Sequence, residues 1–340
     1  MTKIAINGFG RIGRTLLRCA NESNLNIVAI NDIADAANLA YLLKYDSVYG
    51  VWQDVSVDGS TLKAGKRRIS MLTEKDPAAL PWKDMGVDVV VECSGIFTDR
   101  DGASKHLQAG AKKVIISAPA KGGGADVTVC LGVNFDDYDP DSHHIISNAS
   151  CTTNCVAVVA KVINDNFGIE QSFMTTAHAY TASQALVDGP AKKWRRGRAA
   201  AHSIVPSTTG ASEATAQIIP ELKGKMVGRA LRVPVICGSI IDFVCRTKKS
   251  VNAESVKNAF TNASASDKMK GILSATEDQL VSADIVGNPA SAIVDLGSVS
   301  IIGDHDLQVL AWYDNEWGYC CRLRDVTQKV AEMVAAPVGV

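Results

Sequence analysis

No run of about 18 apolar residues occurs in the 340-residue chain, so the sequence predicts no membrane-spanning helix. Charge of one sign is not in excess. Lys and Arg number 35 against 36 Asp and Glu, a formal net charge of −1, so bulk electrostatics points to neither a nucleic acid nor a membrane surface as partner. No CxxC pair occurs among the nine cysteines at 19, 93, 130, 151, 155, 237, 245, 320 and 321, which removes zinc ribbons and fingers, and no metal is expected. The odd cysteine count and the lack of a basic, apolar leader ahead of Ile4-Ala5-Ile6 predict reduced thiols and a cytoplasmic protein. Internal repeats, low-complexity tracts and Gly/Ser linkers are missing as well. What is present, 46% hydrophobic and 21% charged residues, suits about two closely packed domains with cores that need no staple.

The first half alternates strand-like and helix-like segments. Strand patterns at 3–7, 26–31, 87–93 and 112–117 are separated by helical patterns at 11–21, 36–43 and 99–109. Such alternation predicts a parallel sheet with helices on both faces. Short alternating segments over 56–72, around Asp58-Gly59 and Gly65, read as hairpins inserted into that layer. A helix is expected from about Cys151 to Asn166. The second half then carries longer strand patterns at 171–179, 227–234, 236–247, 292–302 and 307–313 with few helices between, which predicts a mostly antiparallel sheet. Further helices are expected at 210–219, 253–265 and 317–335, and the main boundary falls near residue 150.

Gly8-Phe9-Gly10-Arg11-Ile12-Gly13 fits GxGxxG, follows a predicted strand and opens a predicted helix. Gly8 permits a tight turn, Gly10 lets a pyrophosphate approach the backbone, and Gly13 allows helix and strand to pack closely. The helix N-terminus offers N–H groups to phosphate. Asp32 closes the next strand, where its carboxylate would accept from adenosine ribose hydroxyls and repel a 2′-phosphate. The pattern therefore favours NAD over NADP.

Ser147-Asn148-Ala149-Ser150-Cys151-Thr152-Thr153-Asn154-Cys155 places a cysteine where a helix begins. The positive end of the helix dipole favours a thiolate there, and free N–H groups could hold an oxyanion. A capping segment with an incidental buried cysteine fits the same pattern. Cys155 lies one turn later on the same face and reads as a buried neighbour. Among six histidines, His178, ending the Thr175-Thr176-Ala177-His178 strand, is the best candidate to pair with Cys151 as ion-pair partner and general base. A histidine merely packed and hydrogen-bonded remains the alternative at this point.

These blocks resemble the glyceraldehyde-3-phosphate dehydrogenase family over nearly the whole chain. The matching stretches are INGFGRIGR at 6–14, Asn31-Asp32, LLKYDSVYG at 42–50, SNASCTTNC at 147–155 and HAYTASQALVDGP at 178–190. They continue with RAAAHSIVPSTTGAS at 198–212, PELKGKM at 220–226, RVP at 232–234 and WYDNEWGYCCR at 312–322. The resemblance implies an N-terminal Rossmann-type, doubly wound domain over 1–150, with the helix of about 317–335 packing back on it. It implies an α+β catalytic domain over 151–316. It also implies oxidation of glyceraldehyde 3-phosphate by NAD with inorganic phosphate, through a hemithioacetal and a thioester on Cys151, activated by His178. Arg11, Ile12, Asp32, Ser117 and Asn315 align with the family's cofactor contacts, as does Lys75 where the family often has arginine. Ser150, Thr152, Thr181, Thr209, Gly210 and Arg232 fall on its two anion sites, and a homotetramer is implied.

The chain departs from the family in three places. The loop at Gly189-Pro190-Ala191-Lys192-Lys193-Trp194 is one residue shorter, Glu92-Cys93-Ser94-Gly95 has Cys-Ser for Ser-Thr, and Val235-Ile236-Cys237-Gly238-Ser239 replaces a more polar run. The cations Lys192, Lys193, Arg195, Arg196 and Arg198 read as a loop that pairs with carboxylates, backbone or anions between subunits. RNA binding is the competing reading, although no RNA-reading motif accompanies the loop. Two other activities compete. Erythrose-4-phosphate dehydrogenase shares the chemistry, but this chain keeps Thr181 and the 206–210 loop. A thiol hydrolase or acyltransferase would use Cys151 and His178 without the dinucleotide fingerprint.

Overall fold

The computed structural model describes residues 1–335. The chain divides into two compact units. One comprises Met1–Val129, Asp136–Ala149 and the chain from Cys320 on; the other comprises Cys130–Phe135 and Ser150–Tyr319.

The first unit is built on a nine-stranded sheet. Its strands run in the order Val127–Thr128, Ile145–Ser147, Lys113–Ile116, Val89–Glu92, Lys3–Asn7, Asn26–Asn31, Arg67–Leu72, Thr61–Ala64 and Val55–Asp58. The first seven pair in parallel, and the last two attach antiparallel at one edge. Parallel strands covered on both faces should be apolar throughout, and Val89, Val90, Val91, Ile115 and Ile116 are all fully buried. The strand order reverses between Lys3–Asn7 and Val89–Glu92, where a doubly wound sheet opens its ligand crevice.

The hairpins expected over 56–72 are present: Val55–Asp58 pairs antiparallel with Thr61–Ala64 across Gly59, and Thr61–Ala64 pairs antiparallel with Arg67–Leu72 across Gly65. Arg67–Leu72 also pairs in parallel with Asn26–Asn31, which joins both hairpins to the sheet.

The second unit holds a seven-stranded sheet in the order Val205–Ser207, Met226–Val233, Ile169–Ala179, Ser239–Thr247, Asp306–Tyr313, Ala292–Ile302 and Leu273–Thr276. It is mostly antiparallel, with two parallel pairs, Ile169–Ala179 with Met226–Val233 and Leu273–Thr276 with Ala292–Ile302. Helix Cys151–Phe167 runs through the middle of this unit, buried along Thr152–Ala160 and at Val162 and Ile163. Within the described residues, no helix is long and apolar enough to cross a membrane.

Candidate active site

The helix Cys151–Phe167 starts where the sequence places a cap. Ser150 is its N-cap, and the Ser150 hydroxyl oxygen accepts from the Thr153 N–H at 3.0 Å. The residue before it, Ala149, sits at φ 53°, the one non-glycine in the left-handed region among the described residues. Such a conformation is costly for alanine and turns the chain sharply into the helix. Cys151 is therefore the first helical residue, within reach of the unpaired N–H groups of the first turn.

The parallel pairing of Ile169–Ala179 with Met226–Val233 sets His178 beside Arg232. His178 Nε2 lies 3.4 Å from Cys151 Sγ. On the other side of the ring, Nδ1 lies 2.7 Å from the Ala179 carbonyl oxygen and 2.6 Å from Arg232 Nη1. Arg232 Nη1 also donates to Ala179 O at 3.0 Å. A single ring nitrogen cannot donate to the carbonyl and accept from the arginine at once. Only the tautomer with its proton on Nδ1, given to Ala179 O, leaves the Nε2 lone pair facing the thiol.

Burial governs the electrostatics. Desolvation, followed by the Arg232 charge, pushes the His178 imidazole down to about 3, so the ring is neutral near neutral pH. Burial also pushes the Cys151 thiol up, and the Arg232 charge and the Thr152 N–H only partly offset this. This differs from the ion pair expected between Cys151 and His178. Two neutral groups face each other, and the fixed positive charge beside them is Arg232. Arg232 Nε is buried and has no hydrogen-bond partner among the described residues, which leaves an open donor suited to an anion.

The other expected anion contacts are distributed unevenly. Thr152 is buried and its hydroxyl is engaged by Tyr313 OH at 2.9 Å, so its backbone N–H is what it can offer. Thr209 Oγ1 accepts from Ala211 N at 3.1 Å, and Gly210 is the N-cap of helix Ala211–Ile218. Thr181 Oγ1 bonds Ser183 Oγ at 2.9 Å. Arg196 bridges these segments, donating to Ser183 Oγ and twice to Ser207 Oγ. Its charge also reaches His178 and Arg232. Within the basic loop, Lys193 Nζ donates to Thr208 Oγ1 and Arg198 pairs with Asp188 at 2.9 Å. Asn315, which is buried, accepts from Ser239 Oγ at 2.8 Å.

In the first unit the fingerprint glycines divide by task. Gly8 has φ +92°, and a Cβ there would lie 2.4 Å from Ser94 N. A Cβ on Gly13 would lie 2.2 Å from Gly8 O. Around Gly10 a Cβ would meet nothing within 4 Å, so this glycine faces open space at the N-terminus of Arg11–Cys19, a cradle that fits a dinucleotide's pyrophosphate. Asp32 Oδ2 accepts from Phe9 N at 2.6 Å and Oδ1 from Ala34 N at 2.9 Å, so its carboxylate is held at the rim of that turn. Arg11 pairs with Asp46 and lies over the Tyr49 ring, and it and Ile12 are the first two residues of helix Arg11–Cys19, where backbone N–H groups are free of helical partners. Ser117 follows strand Lys113–Ile116, and Lys75 is exposed.

A family model described as the glyceraldehyde 3-phosphate dehydrogenase NAD binding domain matches residues 2–100, and one described as that enzyme's C-terminal domain matches 150–315. Glyceraldehyde-3-phosphate dehydrogenase of Streptomyces coelicolor is 50% identical over 328 residues, covering 96% of this chain and 97% of the relative. That of Geobacillus stearothermophilus is 50% identical over 331 residues, covering 97% and 98%. The chain belongs to the glyceraldehyde-3-phosphate dehydrogenase family. For this family member, sequence reasoning passed over three groups. Tyr313 donates to or accepts from both Thr152 and Thr176 hydroxyls and stands edge-on to His178, with ring centres 6.0 Å apart. Arg196 was visible only as one of five cations. Glu92 is fully buried and accepts from Asn7 Nδ2, His106 Nε2 and Ser94 N, so it holds Ser94 against Gly8. Trp82 Nε1 donates to His106 Nδ1 at 3.1 Å and leaves the ring proton on Nε2 for Glu92. No spacing rule links these residues, because the tertiary packing of strands, helices and loops brings them together.

Proposed function

We propose that the chain oxidises glyceraldehyde 3-phosphate with NAD and inorganic phosphate to 1,3-bisphosphoglycerate, as a cytoplasmic, homotetrameric enzyme of glycolysis and gluconeogenesis. The observation that carries this reading is the 3.4 Å approach of Cys151 Sγ to His178 Nε2 at a helix start, beside the open Nε of Arg232. Residues 1–150 with the helix from about 317 would hold NAD through Gly8, Gly10, Arg11, Ile12, Gly13, Asp32, Lys75 and Ser117. Residues 151–316 would carry the chemistry and contribute Asn315 to the cofactor. NAD, when bound, supplies the two-electron acceptor.

Neutral His178 is suited to the first step. Its Nε2 takes the thiol proton as Cys151 Sγ adds to the aldehyde carbon, giving a hemithioacetal. N–H groups of the first helical turn hold the developing oxyanion. His178 returns that proton to the oxyanion, which completes the hemithioacetal hydroxyl, and takes it again as the hemithioacetal is oxidised to a thioester on Cys151. Arg232, Thr181, Thr209, Gly210, Ser150 and Thr152 would hold the substrate phosphate and the attacking inorganic phosphate, which releases the acyl phosphate and frees the thiol. Two anion sites are needed because one phosphate belongs to the substrate and the other is a reagent.

For the tetramer, support comes from exposed apolar side chains around the basic loop. Leu186, Val187, Trp194 and Ile204 are 79%, 73%, 89% and 65% exposed in the single chain. The test of function is an initial-rate assay at 340 nm with glyceraldehyde 3-phosphate, NAD and phosphate, each omitted in turn. All three should be required. Turnover of erythrose 4-phosphate in preference to glyceraldehyde 3-phosphate, or ester hydrolysis without NAD, would overturn the reading.

A further inference from the structure

The nine cysteines are all thiols, and the chemistry above uses only one of them. Two others meet far from it in sequence. Cys19, the last residue of the fingerprint helix Arg11–Cys19, and Cys321, in helix Trp317–Ala335, approach with their sulfurs 3.8 Å apart across a separation of 302 residues. Both belong to the first unit. Sulfur atoms at this distance are in van der Waals contact, and a disulfide needs them to close to about 2.05 Å, a change that side-chain rotation can supply where the backbone vectors allow it.

The surroundings make the two thiols unequal. Arg322 and Arg324 follow Cys321 along the chain. Both guanidiniums are anchored on Asp325, at 2.8 and 2.7 Å. Arg324 Nη1 also reaches the Cys19 carbonyl oxygen at 3.3 Å, so one cation binds both helices at the sulfur pair. The hydrogen bond with Cys19, helped by the arginine charges against the effect of burial, favours ionisation of Cys321, while that same hydrogen bond and burial keep the proton on Cys19. The neighbouring Cys320 turns elsewhere, its Sγ donating to Ile12 O at 3.6 Å. The pair is nearly buried, at 6% and 2% exposure, so an oxidant that reaches it has to be small.

We propose that Cys19 and Cys321 form a redox-active dithiol that a hydroperoxide oxidises to an internal disulfide, tying the fingerprint helix to the C-terminal helix. With hydrogen peroxide the Cys321 thiolate attacks one peroxide oxygen, the O–O bond breaks, and hydroxide leaves and takes up a proton. The Cys19 sulfur, giving up its proton, then attacks the Cys321 sulfenic acid. The S–S bond forms, the S–O bond breaks, and water leaves. Two thiols and one peroxide give one disulfide and two waters. Because the bond would close a loop of almost the whole chain, it restricts the unfolded state and should raise the unfolding midpoint.

The experiment uses full-length protein carrying Cys151→Ser and Cys155→Ala, which silences the site thiols. Treatment with hydrogen peroxide followed by alkylation under denaturing conditions should lower the count of reactive thiols by two. Non-reducing peptide mapping, on this protein and on the unsubstituted chain, should find Cys19 joined to Cys321. The oxidised form should melt at a higher temperature than the reduced form, and dithiothreitol should reverse both changes. Adding Cys19→Ser or Cys321→Ala should abolish the thiol loss and the shift. An unchanged thiol count, a link between any other cysteines, or a lower melting temperature on oxidation would overturn the proposal.

Discussion

At Cys151 a single sulfur separates turnover from binding. Replacement by serine should lower turnover by about 10³-fold or more while NAD binding persists, because a hydroxyl is far harder to ionise than a thiol. Cys155, fully buried one turn further on, should tolerate alanine with turnover within a few-fold and a stability cost of about 1 kcal/mol for the small cavity. Steady-state rates, NAD titration and thermal unfolding on both variants check this division. His178 makes a second, pH-dependent case. Its folded-state value, about 3, lies below the 6.5 of the unfolded chain. Between those values the unfolded state binds the extra proton, so stability should fall as pH drops from about 6.5 to about 3, by about 1.4 kcal/mol per pH unit at the steepest. His178→Asn should flatten that part of the pH–stability profile from denaturant titrations. The same variant should slow Cys151 alkylation at neutral pH, with recovery at high pH. It should slow oxidation of the substrate by about 10²–10⁴-fold without such recovery. Full recovery of both rates would mean that His178 acts only on the ionisation of the thiol.

At the level of elements, the strand–turn–helix at 3–19 offers two glycines whose substitution separates packing from binding. Gly13→Ala drives a Cβ into the Gly8 carbonyl, and that backbone atom can move only by lifting the helix from its strand. A loss of about 1–3 kcal/mol in unfolding free energy is expected, together with weaker NAD binding. Gly10→Ala meets open space at a φ of −68° that alanine accepts readily. Its stability should stay within about 0.5 kcal/mol of the parent, while NAD affinity falls because the methyl group occupies the phosphate approach. Denaturant midpoints and NAD titration on the pair give the comparison. Equal binding losses with equal destabilisation would mean that Gly10, too, is only a packing residue. Asp32 belongs to the same element. Asp32→Gly should narrow the NAD-over-NADP ratio of kcat/KM, because the carboxylate held by the Phe9 and Ala34 N–H groups is the negative charge at that turn.

For the whole molecule, the near-zero net charge and the internal partners of Lys193, Arg196 and Arg198 in the 190s loop favour contact between copies over nucleic acid. Sedimentation should report about four times the 36.0 kDa chain mass. Trp194→Glu should shift the population toward smaller species, since a charge would replace an exposed apolar side chain of that loop. Any binding of RNA should be weak and vanish with modest added salt. A monomer at micromolar concentration would remove the interface reading of the loop.

The sequence by itself determined the local and periodic features. The apolar runs at 89–92 and 113–116 mark buried parallel strands, GxGxxG marks a strand-to-helix turn, and Ser150-Cys151 marks a capped helix start, because each depends on neighbours in the chain. Element ends moved by one to three residues where fraying and caps set them, as in Arg11–Cys19 for the expected 11–21. Only the tertiary structure decided what depends on strand order and burial. Parallel pairing of two distant strands put Arg232 beside His178, and in the first unit the packing of helices Trp82–Met85 and Arg100–Gln108 brought Trp82 and His106 to Glu92. The protonation of the site was decided there too. A helix dipole and a histidine, read along the chain, point to a thiolate–imidazolium pair. Desolvation in the folded unit favours the neutral forms of both groups instead, and solvent exposure is a property of the packed molecule that no local pattern encodes.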